Sequence, residues 1–164
     1  MTAIRAAVLT VSDACASGER EDASGEALVE LLTQAGAEIV VKTIVPDDLE
    51  PLKKTIASLA DLEDVNLLVS TGGTGFAPRD NTPEATLAVI ERQAPGIPEA
   101  MRMATLKNTP MAMISRGVCG IRSGTLIVNL PGSPKAVRES FEVIKPVLKH
   151  VVALLAGKPG GELH

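Results

Sequence analysis

The sequence predicts an α/β protein: a three-layer α/β/α arrangement in which a mainly parallel sheet carries helices on both faces. Three observations lead there. Apolar runs of strand length alternate with stretches whose apolar residues recur at helical spacing. The first run, Ile4 to Val11, is nearly unbroken, as a strand buried on both faces requires. Each parallel pair also needs a crossover, which the intervening helices supply.

Taken in order, Ile4 to Val11 is the first strand and ends at Ser12-Asp13. Ala27, Leu28, Leu31, Leu32 and Ala35 mark one face of a helix from about Ser24 to Ala35, with Gly36 as its stop. Ile39 to Val45 reads as the second strand, closed by Pro46-Asp47-Asp48; Leu49, Leu52, Ile56 and Leu59 then line a second helix, and Val65 to Ser70 is the third strand. Thr82 is expected as a helix N-cap with Pro83 at the first helical position, the helix running to Arg92. Pro95-Gly96 breaks it, and a further helix runs from Pro98 to about Lys107. Met111 to Ser115 is a short strand candidate, and Arg116 to Gly124 reads as a loop or hairpin. Thr125 to Leu130 is a strand that leads through Pro131-Gly132-Ser133-Pro134 into a long helix, expected to be interrupted at Pro146 by a kink. One domain over 1–157 with a flexible tail over 158–164 is the expected organisation.

Composition narrows the function classes. With no Trp or Tyr and only Phe76 and Phe141 as aromatic rings, nucleic-acid binding by base stacking is disfavoured. The formal charge of −4 divides unevenly: residues 1–82 hold 6 Lys/Arg against 14 Asp/Glu (−8), and residues 83–164 hold 10 against 6 (+4). Solvated helix faces account for such a split, and so does an acidic metal-binding edge opposite a basic ligand-binding edge. Cys15 and Cys119 fall in no metal or disulfide pattern. No apolar run reaches membrane-spanning length, and Met-Thr-Ala-Ile-Arg leads into a strand without a cleavable signal, so a cytoplasmic setting is expected.

In open parallel sheets ligands sit beyond the carboxyl ends of the strands. That rim collects Ser12 and Asp13, Asp47 and Asp48, the glycine-rich loop with Asp80, and Asn129 followed by Pro131, Gly132 and Ser133. At Asp13 and Asp48 helix capping is the competing role; Asp80 has no evident structural duty if Thr82 is the cap. Glycines in Thr71-Gly72-Gly73-Thr74-Gly75 allow main-chain amides to approach an anion closely. Mg²⁺ takes one or two carboxylates and completes its octahedron with water and phosphate oxygens, so carboxylates beside an amide-rich loop suggest a magnesium–nucleotide site. The P-loop and dinucleotide fingerprints are both missing, which disfavours ordinary NTPases and Rossmann oxidoreductases. No His is placed to activate Ser115 or Ser133 as nucleophiles. Phe76 suits either covering a ligand ring or packing on its own loop.

In combination these residues resemble a family, the molybdopterin adenylyltransferases of molybdenum-cofactor biosynthesis (MogA/MoaB type), also similar to the G domain of gephyrin. The resemblance spans nearly the whole chain and rests on Thr71-Gly72-Gly73-Thr74-Gly75, Arg79-Asp80-x-Thr82-Pro83-Glu84-Ala85-Thr86, Pro95-Gly96 with Glu99-x-Met101-Arg102, and Asn129-Leu130-Pro131-Gly132-Ser133-Pro134-Lys135-Ala136; Ser12-Asp13 and Pro46-Asp47 also fit. Asn81 departs from the pattern, which has an apolar residue there.

The resemblance implies transfer of AMP from ATP to the terminal phosphate of molybdopterin with release of pyrophosphate. It also implies a homotrimer, a product handed to a molybdenum insertase, and neither nucleic-acid nor membrane partners. Asp80 and Asp47 are implied as the catalytic carboxylates and Mg²⁺ ligands. The glycine loop (Thr71, Gly72, Gly73, Thr74, Gly75), the Asn129-to-Pro134 turn, Ser12, Asp13, Arg79 and Lys135 are implied as the binding surface. Amides of Gly72, Gly73 and Gly75 are expected to align the phosphates, with Arg79, Arg102 or Lys135 as cationic partners. A non-catalytic molybdopterin-binding or scaffolding relative of the same fold is the alternative, since fold alone does not fix function.

Overall fold

The computed structural model describes residues 2–157; the expected tail, 158–164, lies outside them. Six strands and six α-helices follow in the order β1 (Arg5–Val11), α1 (Asp13–Ala16), α2 (Ala23–Gln34), β2 (Glu38–Val45), α3 (Leu49–Ala60), β3 (Leu67–Thr71), α4 (Thr82–Val89), β4 (Arg92–Gln93), α5 (Gly96–Leu106), a 3₁₀ turn (Pro110–Ile114), β5 (Cys119–Arg122), β6 (Thr125–Leu130) and α6 (Pro134–Leu155). The sheet order is β2-β1-β3-β6-β5-β4. The first four of these strands are parallel, and β5 and β4 add an antiparallel edge.

Side-chain alternation along β1 divides the core in two. Ala6 and Val8 face a cluster with Leu28, Leu67, Val69, Leu126, Phe141, Ile144 and Val152, while Ala7 and Leu9 face one with Leu52, Ile56, Leu68 and Ile127. The first cluster is roofed by α2, α5 and α6 and the second by α3. These are the two helical layers that the sequence pattern anticipates. β2 and β3 flank β1, and the helices that lead to them lie on opposite faces of the sheet. The connections therefore diverge at the carboxyl ends of β1 and β3, the place where such sheets hold ligands.

Five local expectations need correction. The helix expected to reach Arg92 ends at Val89, and Arg92 and Gln93 form β4 against β5. Met111 to Ser115 forms no strand: Thr109 caps the 3₁₀ turn by accepting from the Met111 amide, Pro110 opens it, and Met111 and Met113, 60% and 64% exposed, have no strand beside them. The hairpin reading of 116–124 holds in its second half, where β5 and β6 join through Ser123 and Gly124, both at positive φ as a two-residue turn demands. Thr82 is not the cap of α4. It is the first helical residue, its hydroxyl donates to the Gly72 carbonyl (2.9 Å), and Asn81 stands at the cap position without a side-chain cap bond. The last helix is not interrupted: α6 passes through Pro146, held by Phe141 and Ile144 before it and Leu148 and Val152 after it, all in the same core cluster. No helix among the described residues is long and apolar enough to cross a membrane.

Candidate active site

The loops after β1, β2, β3 and β6 meet at one rim. Gly72 sits at φ +97, and a Cβ there would stand 2.3 Å from the Val11 carbonyl, so only glycine lets the β3 loop lie on the end of β1. Its amide donates to the Leu130 carbonyl (3.2 Å), which removes it from the anion-binding role expected of it. The amides of Gly73 and Gly75 have no acceptor among the described residues and remain available to a ligand. Thr71 is buried and donates to the Pro131 carbonyl (2.6 Å), tying the β3 loop to the β6 loop.

Neither Asp13 nor Asp48 caps a helix with its side chain. Ser12 caps α1 by accepting from the Cys15 amide (3.2 Å). Asp13 instead accepts from the Asp47 amide (2.9 Å) and, through both oxygens, from Arg79 (2.8 and 3.0 Å); Arg79 also reaches Asp48 (3.1 Å). The Arg79 guanidinium, followed by the Asp47 amide, holds the Asp13 carboxyl down to about 2. Arg79 is thereby committed to two carboxylates.

Asp47 is in the opposite situation. It is 5% exposed and accepts from the Asn81 amide (3.1 Å). Burial, reinforced by the charges of Asp80 and Asp13 and only partly opposed by the Asn81 amide, pushes its carboxyl up to about 6. Asn81 gains a role that an apolar residue at its position lacks: its side-chain amide donates to the carbonyls of Asp47 and Arg79 (3.2 Å each). Asp80 has a structural bond after all, accepting from the Ala77 amide (2.9 Å). Phe76 at the loop tip is 69% exposed and packs little on its own loop.

Two cavities open along the rim. One, of about 580 Å³, is walled largely by aliphatic groups of Pro98, Met101, Met111, Ala112, Ile114 and Ala136, with Thr74, Asn129, Pro131, Arg102 and Lys135 also on its walls. The other, of about 530 Å³, has a more polar lining than the first, with Ser12, Asp13, Arg20, Asp47, Thr71, Gly72 and Arg79 on its walls. Gly73, Asp80, Gly132 and Ser133 line both, so the cavities meet at Asp80. Asp48 of the expected rim lines neither cavity, whereas each residue implied as catalytic or ligand-binding borders one of the two. Asn129 does so mainly as scaffold: it is buried, donates to Ser70 and Thr86 (3.0 and 3.1 Å) and accepts from the Val118 amide (3.1 Å). Ser133 caps α6 through the Ala136 amide (3.2 Å), which turns the positive end of a 22-residue helix toward the junction.

No group of three or more His, Cys, Asp or Glu among the described residues is placed to hold a metal alone. The pair Asp47 and Asp80 fits Mg²⁺ on a different ground. Asp47 is raised chiefly by burial and then by the charges of Asp80 and Asp13, an environment that a cation would relieve, and Mg²⁺ needs only one or two such ligands when phosphates complete its shell.

Sequence reasoning missed Arg116 and Arg20. Arg116 lies within a segment that reads only as glycine-rich loop, although a charged side chain nine residues before the β6 strand is visible there. Arg20 contacts the Ser12 hydroxyl (3.3 Å) from a loop that carries no signal.

The profile of the family described as "Probable molybdopterin binding domain" matches residues 7–150. The chain is 41% identical over 159 residues to a Helicobacter pylori protein named molybdopterin adenylyltransferase, covering 96% of this chain and 90% of that one. It is 42% identical over 156 residues to the Drosophila melanogaster molybdenum cofactor synthesis protein cinnamon, where 94% of this chain spans about a quarter (26%) of the relative. Among solved structures it is similar to the molybdopterin biosynthesis enzyme MoaB of Thermus thermophilus, with a TM-score of 0.89 and 47% identity over 96% of this chain and 99% of that one.

Proposed function

Because the chain belongs to the molybdopterin-binding domain family of molybdenum-cofactor biosynthesis proteins, we propose that it transfers AMP from Mg-ATP to the terminal phosphate of molybdopterin. The products are adenylyl-molybdopterin and pyrophosphate. One observation carries this reading: an aliphatic cavity and a carboxylate-lined cavity meet at Asp80, Gly73 and Ser133. The first suits the flat pterin, with Arg102 and Lys135 on its walls for the attached phosphate. The second suits the nucleotide.

In the transfer, an oxygen of the molybdopterin phosphate attacks the α-phosphorus of ATP and the bond from that phosphorus to the β-phosphate bridging oxygen breaks. The attacking oxygen is already anionic and needs no base, in keeping with a site without His. What remains for the protein is to align two mutually repelling anions and to balance charge at the α-phosphorus. The Gly73 and Gly75 amides and the α6 N-terminus at Ser133 supply donors for alignment. Asp47 and Asp80 would hold Mg²⁺, which supplies charge neutralisation as pyrophosphate leaves. Arg79, released from Asp13 and Asp48, supplies a cation to the triphosphate. A homotrimer, a cytoplasmic setting and onward transfer of the product to a molybdenum insertase complete the proposal, resting on the family resemblance.

The test is release of pyrophosphate from Mg-ATP with and without molybdopterin. Release that depends on the pterin supports the reading. A folded protein that binds molybdopterin without any ATP dependence supports the scaffolding alternative instead.

A further inference from the structure

We propose that Arg116 is a positioning residue for adenylyl transfer, clamping the loop that presents Asp80 to the junction of the two cavities; this rests on the reading above. Its guanidinium lines neither cavity. Nε donates to the Gly75 carbonyl (2.7 Å) and Nη2 to the Asp80 carbonyl (2.9 Å), while Nη1 pairs with Glu84 in the first turn of α4. The Arg116 main-chain amide adds a bond to the Thr74 carbonyl (2.8 Å). One residue thus grips the chain at Thr74 and Gly75, before the loop tip, and at Asp80, after it.

Between those grips the loop is otherwise held at Arg79, whose exposed side chain bonds Asp13 and Asp48 and whose carbonyl accepts from the Asn81 side-chain amide, while the tip itself has few bonds. Phe76 is exposed, and the internal bonds run only from the Asp80 amide to the Ala77 carbonyl and from the Ala77 amide back to the Asp80 carboxylate (2.9 Å each). The clamp is itself anchored, because Arg102 of α5 donates to the carbonyls of Ser115 and Gly117 on either side of Arg116 (3.3 and 2.9 Å). Support therefore runs from the wall of the pterin-sized cavity through Arg102 and Arg116 to Asp80. The two carbonyls and the carboxylate need donors in a planar fork, which a lysine ammonium does not reproduce. The ion pair with Glu84 is partly exposed and contributes little alone, so the clamp depends chiefly on the carbonyl bonds.

The test compares the full chain with Arg116→Gln and Arg116→Lys. Four quantities are measured: melting temperature, kcat from pyrophosphate release, KM for molybdopterin, and amide exchange over residues 76–81. Misplacing a reacting group by about 1 Å costs about 100-fold, so kcat is expected to fall about 10- to 100-fold in both variants. KM for molybdopterin should stay within about twofold, since the interaction lost acts on the transition state. Exchange should quicken at 76–81 and not in the core strands. Wild-type kcat in either variant, or unchanged exchange at those amides, overturns the proposal. If Arg116→Gln does not fold, Arg116→Lys decides by the same two readouts. An inactive wild-type protein whose loop nevertheless loosens on substitution would sink the adenylyl-transfer reading and leave the clamp standing.

Discussion

Replacing Asp47 by Asn should remove activity and at the same time stabilise the metal-free protein above pH 6. The Asp47 carboxyl moves from 3.8 to about 6 on folding, chiefly through burial. Below about pH 3.8 the group is protonated in both folded and unfolded chains and contributes its full share of stability. As pH rises from there through about 6 the unfolded chain releases its proton first, so the folded state loses that share. Asn carries no such titration and keeps an acceptor for the Asn81 amide. At about 1.4 kcal/mol for each tenfold change in proton affinity, the move corresponds to at most about 3 kcal/mol. For a chain of this size that is roughly 6–12 °C in melting temperature. Melts in EDTA between about pH 4 and pH 8 should show the variant gaining on wild type through the window from about 4 to 6, then holding a constant lead. Added Mg²⁺ should raise wild type and not the variant. A variant that melts at or below wild type at pH 8, or a difference independent of pH, would refute the argument that Asp47 is a desolvated carboxylate awaiting a cation.

Three further outcomes follow from the same geometry. Asp80→Asn should slow transfer about 100-fold or more while molybdopterin binding, read by titration, is retained; equal loss of folding would make Asp80 a structural residue. Gly75→Ala places a Cβ 2.8 Å from the Asp80 carboxylate, so kcat should fall with a melting temperature close to wild type. Phe141→Ala empties a fully buried site in the larger core cluster and should cost about 3–5 kcal/mol in urea unfolding with kcat per folded molecule unchanged.

The parts of the fold that could be read in the sequence are those where one periodicity governs a whole element. β1 and β6 are buried on both faces and read as nearly unbroken apolar runs, and α2 and α3 carry one apolar stripe each. The 3₁₀ turn escapes such a reading because Met111 and Met113 look like core residues, whereas the capping hydroxyl of Thr109 and the ring of Pro110 decide the local geometry. The two-residue β4 is too short to carry any period and exists only because β5 lies beside it. At the site, carboxylates and glycines announce themselves through their position after strands. The commitments of Thr71, Asn129 and the Gly72 amide to other loops do not, because each depends on a partner about 60 residues away in sequence. Arg116 is hidden for the same reason: its targets are backbone carbonyls, which leave no trace in side-chain composition.

The most direct test of adenylyl transfer at the junction of the two cavities is a crystal structure of the complex with Mg²⁺, molybdopterin and a non-hydrolysable ATP analogue. The pterin should occupy the aliphatic cavity and the triphosphate the carboxylate-lined one, with a terminal phosphate oxygen about 3–3.5 Å from the α-phosphorus beside Asp80. Both ligands in a single cavity, or an α-phosphorus remote from Asp80, would contradict it.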